Sequence, residues 1–329
     1  MPQTPPQIAV LDDYQSVALR CADWSSIRGV EVTSFVDHIE GGDALVERLS
    51  PFQVVCLMRE RTPLSADLLA RLPQLRLIVT TGMWNASLDI EEATRRGIAV
   101  CGTAALQSGT PELTWLLILA LARRLPQEQA SISGGGWQTG LGADLEGGTL
   151  GILGLGKIGS RIAHVGNSFG MRVLAWSENL TAARAAAAGA SLVPKDTLLR
   201  EADFVTVHMK LSARTRGLIS ERELRLMKPS AYLVNTSRGA LVSETALVQA
   251  LRTRQIAGAG LDVFDTEPLP VSHPLRHLPN AIVTPHIGYV TERGYALFYA
   301  QVVENIRAWI AGTPIRLLSS NALPSAAQP

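Results

Sequence analysis

The sequence predicts an α/β protein of two domains, a Rossmann-type doubly wound parallel sheet and a smaller, flavodoxin-like α/β domain. Three observations predict it. Short apolar runs of strand length alternate with helical patterns along the chain, as in parallel sheets covered by helices. A glycine-rich turn joins a buried strand to an amphipathic helix near mid-chain. A length of 329 residues with 47% hydrophobic content exceeds what one core usually organises, so two cores are expected.

The glycine turn lies in Gly148 to Ser177, GTLGILGLGKIGSRIAHVGNSFGMRVLAWS, which reads strand, turn, helix, strand. Leu150 to Leu153 suits a buried parallel strand and feeds into Gly154-Leu155-Gly156-Lys157-Ile158-Gly159, a G-x-G-x-x-G. Gly154 permits the tight turn, Gly156 lets the backbone approach a pyrophosphate, and Gly159 lets the helix pack close to the strand. The helix from about Ser160 to Phe169 then turns free N–H groups and its positive dipole end toward phosphates. A second strand, Arg172 to Trp176, completes the context that the motif requires. An acidic residue normally follows that strand and binds the adenosine ribose. Here Ser177 takes the place, Glu178 follows, and no arginine stands ready for a 2′-phosphate. This favours NAD, while small Ser177 beside Asn179 leaves room for NADP.

Before the turn, strands are expected at Ile8 to Leu11, Val30 to Val36, Val54 to Met58, Leu77 to Thr80 and Ile98 to Cys101, with helices at about Asp43 to Leu49, Ser65 to Leu72 and Ile90 to Arg96. Thr110-Pro111-Glu112 opens an apolar crossover helix to about Leu125, with Thr110 as N-cap and Pro111 at the first helical position. Ser131 to Glu146 reads as a loop or arm in which Trp137 suggests packing. After Trp176, a helix at Thr181 to Ala188 and strands at Ser191 to Val193, Phe204 to His208, Ala231 to Asn235, Ala257 to Leu261 and Ala281 to Thr284 continue the doubly wound pattern. Tyr289 to Ile310 reads as a long final helix returning to the first domain, and the tail from Ser319 as disordered.

Composition excludes several function classes. A net charge of +1 with scattered basic residues gives no footprint for nucleic acid or an anionic membrane. Cys21, Cys56 and Cys101 are odd in number, widely spaced and set in apolar surroundings, as in a reduced cytoplasmic protein; no zinc-ligand spacing occurs. The N-terminal stretch has no export pattern, and the apolar run Leu113 to Ala122 is too short to span a bilayer.

In a doubly wound sheet, ligands bind outside the carboxyl ends of the strands. Arg238, Glu267 and His286 each follow a predicted strand end. A guanidinium grips a carboxylate in bidentate fashion, and an imidazole gives a proton to a carbonyl oxygen as hydride arrives. A carboxylate on the other ring nitrogen fixes its tautomer and favours its protonated form. That set suits reduction of a 2-keto acid. Of the six histidines, His38, His164, His273 and His277 show no partner in the sequence pattern, whereas His208 sits at a strand end and is expected to line the cofactor site.

At these residues the chain resembles the D-isomer-specific 2-hydroxyacid dehydrogenases over almost its whole length. The carrying motifs are GILGLGKIGSRIA, HMKLSARTRGLIS, LMKPSAYLVNTSRGALVSETAL, AGAGLDVFDTEPLPVSHPL and NAIVTPHIGYVT, in that order. The resemblance implies Arg238, Glu267 and His286 as the catalytic trio. It implies Thr236 and Asp262 on the nicotinamide side, with Thr110 and Gly288 completing the cofactor pocket. Residues 108–289 are then the NAD(P) domain, 1–107 and 290–329 the substrate domain, and a homodimer forms through the cofactor domains and their arm. The family commonly shows a G-x-G-x-D loop for the substrate carboxylate. Here Thr80-Thr81-Gly82-Met83-Trp84-Asn85 stands in its place, so Thr81, Gly82 and Met83 are the expected substrate contacts, and Trp84 and Asn85 are expected to reshape the pocket. Thr80, where phosphoglycerate dehydrogenases often carry arginine, counts against phosphoglycerate. Arg59 and Arg61 are candidates for a second anionic group. Glu267 argues against a formate dehydrogenase, which resembles this family with glutamine there. The expected activity is reduction of a small 2-keto acid of the glyoxylate or hydroxypyruvate class. The alternatives are a nicotinamide-sensing scaffold and a dehydrogenase of a non-carboxylate substrate.

Overall fold

The computed structural model describes residues 6–319, so the expectation of a disordered tail falls, from Ser320 on, outside the described residues. The chain divides into two compact units, Met1–Leu106 with Thr291–Pro329, and Gln107–Val290.

The first unit carries five strands: β1 (Gln7–Val10), β2 (Glu31–Ser34), β3 (Val54–Leu57), β4 (Leu77–Thr80) and β5 (Ala99–Cys101). They pair in the order β2-β1-β3-β4-β5, every pair parallel. β3 and β4 are buried along their whole length, which is why they read as unbroken apolar runs. Three helices connect them, α1 (Gly42–Leu49), α2 (Ala66–Ala70) and α3 (Ile90–Arg95). Ser65 and Asp89 cap the last two through their side chains. Leu45, Leu49, Leu69, Ile78 and Val100 share one core with these strands. The chain's final helix, Glu292–Ile310, also belongs to this unit; it is capped by Thr291 and so starts later than Tyr289. Burial pushes the thiols of Cys56 and Cys101 up, the latter to about 11, which keeps both as protonated, inert core groups.

The second unit opens with α4 (Gly109–Ala122) and α5 (Leu125–Ser133). Two expectations are corrected here. The crossover helix stops at Ala122, because Arg124 takes a left-handed conformation at φ 52°. Part of the stretch expected as a loop is the separate helix α5, polar and without a buried residue. Trp137 in the arm that follows is 73% exposed, so within the chain it does not pack as expected.

Seven parallel strands follow: β6 (Thr149–Leu153), β7 (Arg172–Trp176), β8 (Ser191–Leu192), β9 (Phe204–Val207), β10 (Tyr232–Asn235), β11 (Gly258–Leu261) and β12 (Ala281–Val283). Between them run α6 (Lys157–Ser168), α7 (Ala182–Ala187), α8 (Lys195–Glu201), α9 (Glu221–Leu226) and α10 (Glu244–Arg252). The order is β12-β11-β10-β9-β6-β7-β8. The chain builds outward from β6 to β8, then returns to the other side of β6 with β9, which places the switch point between the carboxyl ends of β6 and β9. One core lies on each face of this sheet: Leu153, Val205, Leu233, Leu247 and Leu261 belong to one, and Trp115, Ile118, Ile152, Ile162 and Phe204 to the other.

Candidate active site

The glycine turn leaves β6 at the switch point. Gly154 has φ +102°, and a Cβ there would lie 2.5 Å from the His208 carbonyl oxygen. A Cβ on Gly159 would lie 2.1 Å from the Gly154 carbonyl oxygen, so the start of α6 presses on the turn in a way only glycine allows. A Cβ on Gly156 meets nothing within 4 Å, so there the backbone fronts open space at the head of a twelve-residue helix. Leu155, Lys157 and Ile158 complete this turn. A bare helix N-terminus facing open space is what a pyrophosphate requires, so the residues present fit a dinucleotide.

Two neighbours carry contacts of their own. The hydroxyl of Ser177 accepts the Leu155 N–H at 3.1 Å, so Ser177 braces the turn, and Glu178 beyond it is the exposed carboxylate of the pair. His208 bonds through Nε2 to Thr206 Oγ1 at 2.8 Å, while its buried Nδ1 has no hydrogen-bond partner among the described residues. Burial pushes its pKa down to about 3, so the ring is neutral at physiological pH. Because the folded value lies below the ordinary 6.5, the unfolded chain takes up a proton first as pH falls from 6.5 towards 3. That uptake is a penalty on the folded chain at acidic pH. His208→Gln should remove it, so the difference in thermal midpoint between parent and variant should shift against the parent on acidification. A difference independent of pH would contradict this account.

The trio follows three strand ends. Asn235, 1% exposed, donates from its amide to the Arg238 carbonyl at 2.9 Å and accepts the Ser237 N–H at 3.1 Å, fixing the turn that bears Arg238. Gly239 comes next, and a Cβ on it would lie 2.1 Å from the Phe264 carbonyl carbon and 2.6 Å from Asp265 N. The turn that carries Arg238 therefore lies flush against the one that leads into Glu267. Glu267 Oε1 accepts the Phe264 N–H at 2.9 Å, and Oε2 pairs with His286 Nδ1 at 2.5 Å. Burial pushes the Glu267 carboxyl up, but the His286 contact, the Phe264 N–H and the Arg238 charge together hold it below its ordinary 4.5. The ionised form thus persists at neutral pH, and its stabilisation is lost only as pH falls through that lowered value.

His286 sits at φ +53°, a left-handed conformation that its surroundings must enforce. Asp262, fully buried, supplies the enforcement: its carboxylate takes Ile287 N–H and Gly288 N–H at 2.8 Å each and the Thr284 hydroxyl at 2.6 Å. Burial is the largest influence on Asp262 and raises its pKa, against the lowering by these donors and by His286. Tyr289 stands edge to face with the imidazole, ring centres 5.6 Å apart. Thr110 is not a cap: it lies inside α4, which begins at Gly109, and its hydroxyl donates to the Gly288 carbonyl at 3.3 Å. A Cβ on Gly288 would come within 3.1 Å of Asp262 Oδ2 and 3.2 Å of Thr110 Oγ1. Thr236, 6% exposed, shares a hydrogen bond of 2.8 Å with Thr114 of α4.

In the first unit, Thr81 Oγ1 accepts the Arg59 N–H at 2.9 Å, and the Gly82 N–H goes to Thr103 Oγ1 at 2.9 Å. Both expected substrate groups are thereby engaged internally, whereas Met83 is 52% exposed. Asn85 is buried and donates to the Arg59 carbonyl at 2.7 Å and to Thr80 Oγ1 at 2.9 Å, bracing this loop. Arg61 donates to the Asp12 carbonyl at 3.1 Å and lies 4.8 Å from the Tyr14 ring centre. Sequence reasoning missed that His38 pairs with Asp12 at 2.8 Å and His273 with Glu244 at 3.0 Å. These partners are distant in sequence, and no local spacing reveals them.

Fold and turn together define a dinucleotide-binding class of protein. The NAD binding domain model of D-isomer specific 2-hydroxyacid dehydrogenases matches residues 115–288. A glyoxylate reductase of Aeropyrum pernix is 42% identical over 259 residues, covering 76% of this chain and 77% of that protein. A D-3-phosphoglycerate dehydrogenase of Synechocystis is 33% identical over 318 residues, 94% of this chain and 57% of that longer protein. The crystal structure of a putative D-3-phosphoglycerate dehydrogenase oxidoreductase from Ralstonia solanacearum matches with a TM-score of 0.89 at 38% identity, over 95% of this chain and 96% of that one. The chain belongs to the D-isomer specific 2-hydroxyacid dehydrogenase family. It is an NAD(P)-dependent oxidoreductase acting on CH–OH donors, and no helix among its described residues is long and apolar enough to cross a membrane.

Proposed function

We propose that the protein reduces a small 2-keto acid of the glyoxylate or hydroxypyruvate class to its D-2-hydroxy acid, and catalyses the reverse oxidation. The observation that carries this reading is the 2.5 Å pair of His286 Nδ1 with Glu267 Oε2, with Arg238 close enough for its charge to act on the same carboxylate. The backbone of Gly154, Leu155, Gly156, Lys157, Ile158 and Gly159 holds the pyrophosphate, Glu178 the ribose, and His208, Thr236, Asp262, Gly288 and Thr110 surround the nicotinamide half. The bound nicotinamide supplies hydride. Arg238 binds the substrate carboxylate through its planar fork. With Nδ1 facing Glu267, Nε2 of His286 is the atom that gives a proton to the carbonyl oxygen and takes it back in the oxidation direction. In the first unit, a substrate role at Thr81 to Met83 rests on Met83, since the Thr81 hydroxyl and the Gly82 N–H are engaged.

Exposed Leu116, Leu119 and Phe169 of α4 and its neighbourhood, with Trp137 and Leu141 of the arm, support a homodimer through the second unit. Light scattering should return twice the chain mass, and a monomer would count against it. Buried, protonated thiols fit a cytoplasmic setting.

The functional test is oxidation of NADH, and of NADPH in parallel, with glyoxylate, hydroxypyruvate, pyruvate and 3-phosphohydroxypyruvate. Turnover with one of the first two is expected, faster with NADH than with NADPH. Binding of NADH without turnover on any acid would overturn the reading, and undiminished turnover in Arg238→Ala would remove its carboxylate role.

A further inference from the structure

Between Asp265 and His273 the chain carries Glu267 on a segment with little apolar anchorage. Leu269 is buried, but Asp265, Thr266, Pro268, Pro270 and Val271 are exposed, Val271 by 83%. Packing alone does not aim the carboxylate. Polar contacts close the segment instead: Arg276 donates to the Leu269 and Pro270 carbonyls at 2.5 and 2.9 Å, and the contacts at the segment's two ends meet on one further residue outside it. Glu244, the first residue of α10, accepts the Asp265 N–H on Oε2 at 3.2 Å and pairs through Oε1 with His273 Nε2 at 3.0 Å. One carboxylate thus joins both ends of the segment. His273 Nδ1 accepts the Leu275 N–H at 3.3 Å, which makes Nε2 the protonated nitrogen and Glu244 the acceptor. Both side chains are largely shielded, at 22% and 18% exposed.

We infer that Glu244 and His273 are positioning residues for the reaction: the Glu244 carboxylate, by clasping Asp265 and His273, holds the Glu267 segment in the register that puts Glu267 on His286. The link is short. Asp265 N–H is anchored by Glu244, the adjoining Phe264 N–H donates to Glu267 Oε1 at 2.9 Å, and Glu267 Oε2 meets the imidazole. Release of one end lets the segment slide, and displacements of this kind weaken an acid–base pair without touching the cofactor turn. The charged groups facing the clasp are Asp265, beside Glu244, and Arg216. Glu267 in turn faces His286 and Arg238.

This inference rests on the proposed roles of Glu267 and His286, so the experiment includes His286→Ala as a reference. Glu244→Ala, His273→Ala and His273→Gln are compared with the parent in NADH-dependent reduction of glyoxylate, hydroxypyruvate, pyruvate and 3-phosphohydroxypyruvate. The readouts are kcat, the KM for NADH, the pH profile of kcat and the thermal midpoint. The alanine variants should lose about 10-fold or more in kcat with an unchanged KM for NADH and a displaced pH profile. His273→Gln retains an N–H for Glu244 and should recover most of the rate. Parent-like kcat in both alanine variants while His286→Ala is inactive would overturn the positioning role alone. A loss of kcat that follows the thermal midpoint, with an unmoved pH profile and no recovery in His273→Gln, would also overturn it. Undiminished turnover in His286→Ala would overturn the underlying reading together with it.

Discussion

His286→Ala is expected to lower the rate of keto-acid reduction by about 10²–10⁴-fold, the usual span for loss of a positioned proton donor. The imidazole is held from three sides: Glu267 at 2.5 Å, the Tyr289 ring at 5.6 Å, and the Asp262 carboxylate through the backbone of Ile287 and Gly288. Alanine leaves the last of these in place, because Asp262 grips main-chain N–H groups. The loop should therefore persist, and NADH affinity should be little changed, since the glycine turn leaves a different strand. Arg238 is untouched, so the KM for the keto acid should move far less than kcat. Stopped-flow measurement of NADH oxidation checks the rate, and fluorescence titration of NADH checks the binding. A variant with parent-like kcat would remove His286 from the chemistry.

Gly239→Ala is expected to reach the lower end of that span without removing any reactive group. The added Cβ would fall 2.1 Å from the Phe264 carbonyl carbon, 2.2 Å from its oxygen and 2.6 Å from Asp265 N. All three are backbone atoms and cannot swing aside as a flexible side chain would. Either the Arg238 turn or the Glu267 turn must move by about 1 Å, and a displacement of that size in a catalytic arrangement is worth roughly 10²-fold. Overpacking should also lower stability by about 1–3 kcal/mol. Values of kcat/KM and of the thermal midpoint both matching the parent would show that the two turns do not constrain one another.

The strand ends and the glycine turn were legible because each depends on short spacing: an apolar run of strand length, then a residue with a defined steric or chemical role. Arg238, Glu267 and His286 were reached in that way, and Glu267 and His286 do meet at 2.5 Å. What eluded sequence reasoning depends on partners far along the chain. Thr110 looks like a cap because it precedes a proline, yet its hydroxyl goes to Gly288. His38 and His273 had no visible partner because Asp12 and Glu244 lie on other elements. Asn85 follows a strand end, and only its contacts with Arg59 and Thr80 reveal that it braces the loop. Helix α5 escaped because it buries none of its residues, so no amphipathic stripe marks it.

The bond from Leu155 N–H to the Ser177 hydroxyl bears on any attempt to redesign coenzyme choice. Protein engineers would alter the residue after the second strand first, since it commonly discriminates a bare ribose from a phosphorylated one. In this chain that substitution would also unfasten the glycine turn proposed to hold the pyrophosphate, so poorer binding of both coenzymes would be misread as a change of preference. Substituting Glu178 or Asn179, both exposed, alters the surface beside the proposed ribose position while leaving that fastening in place.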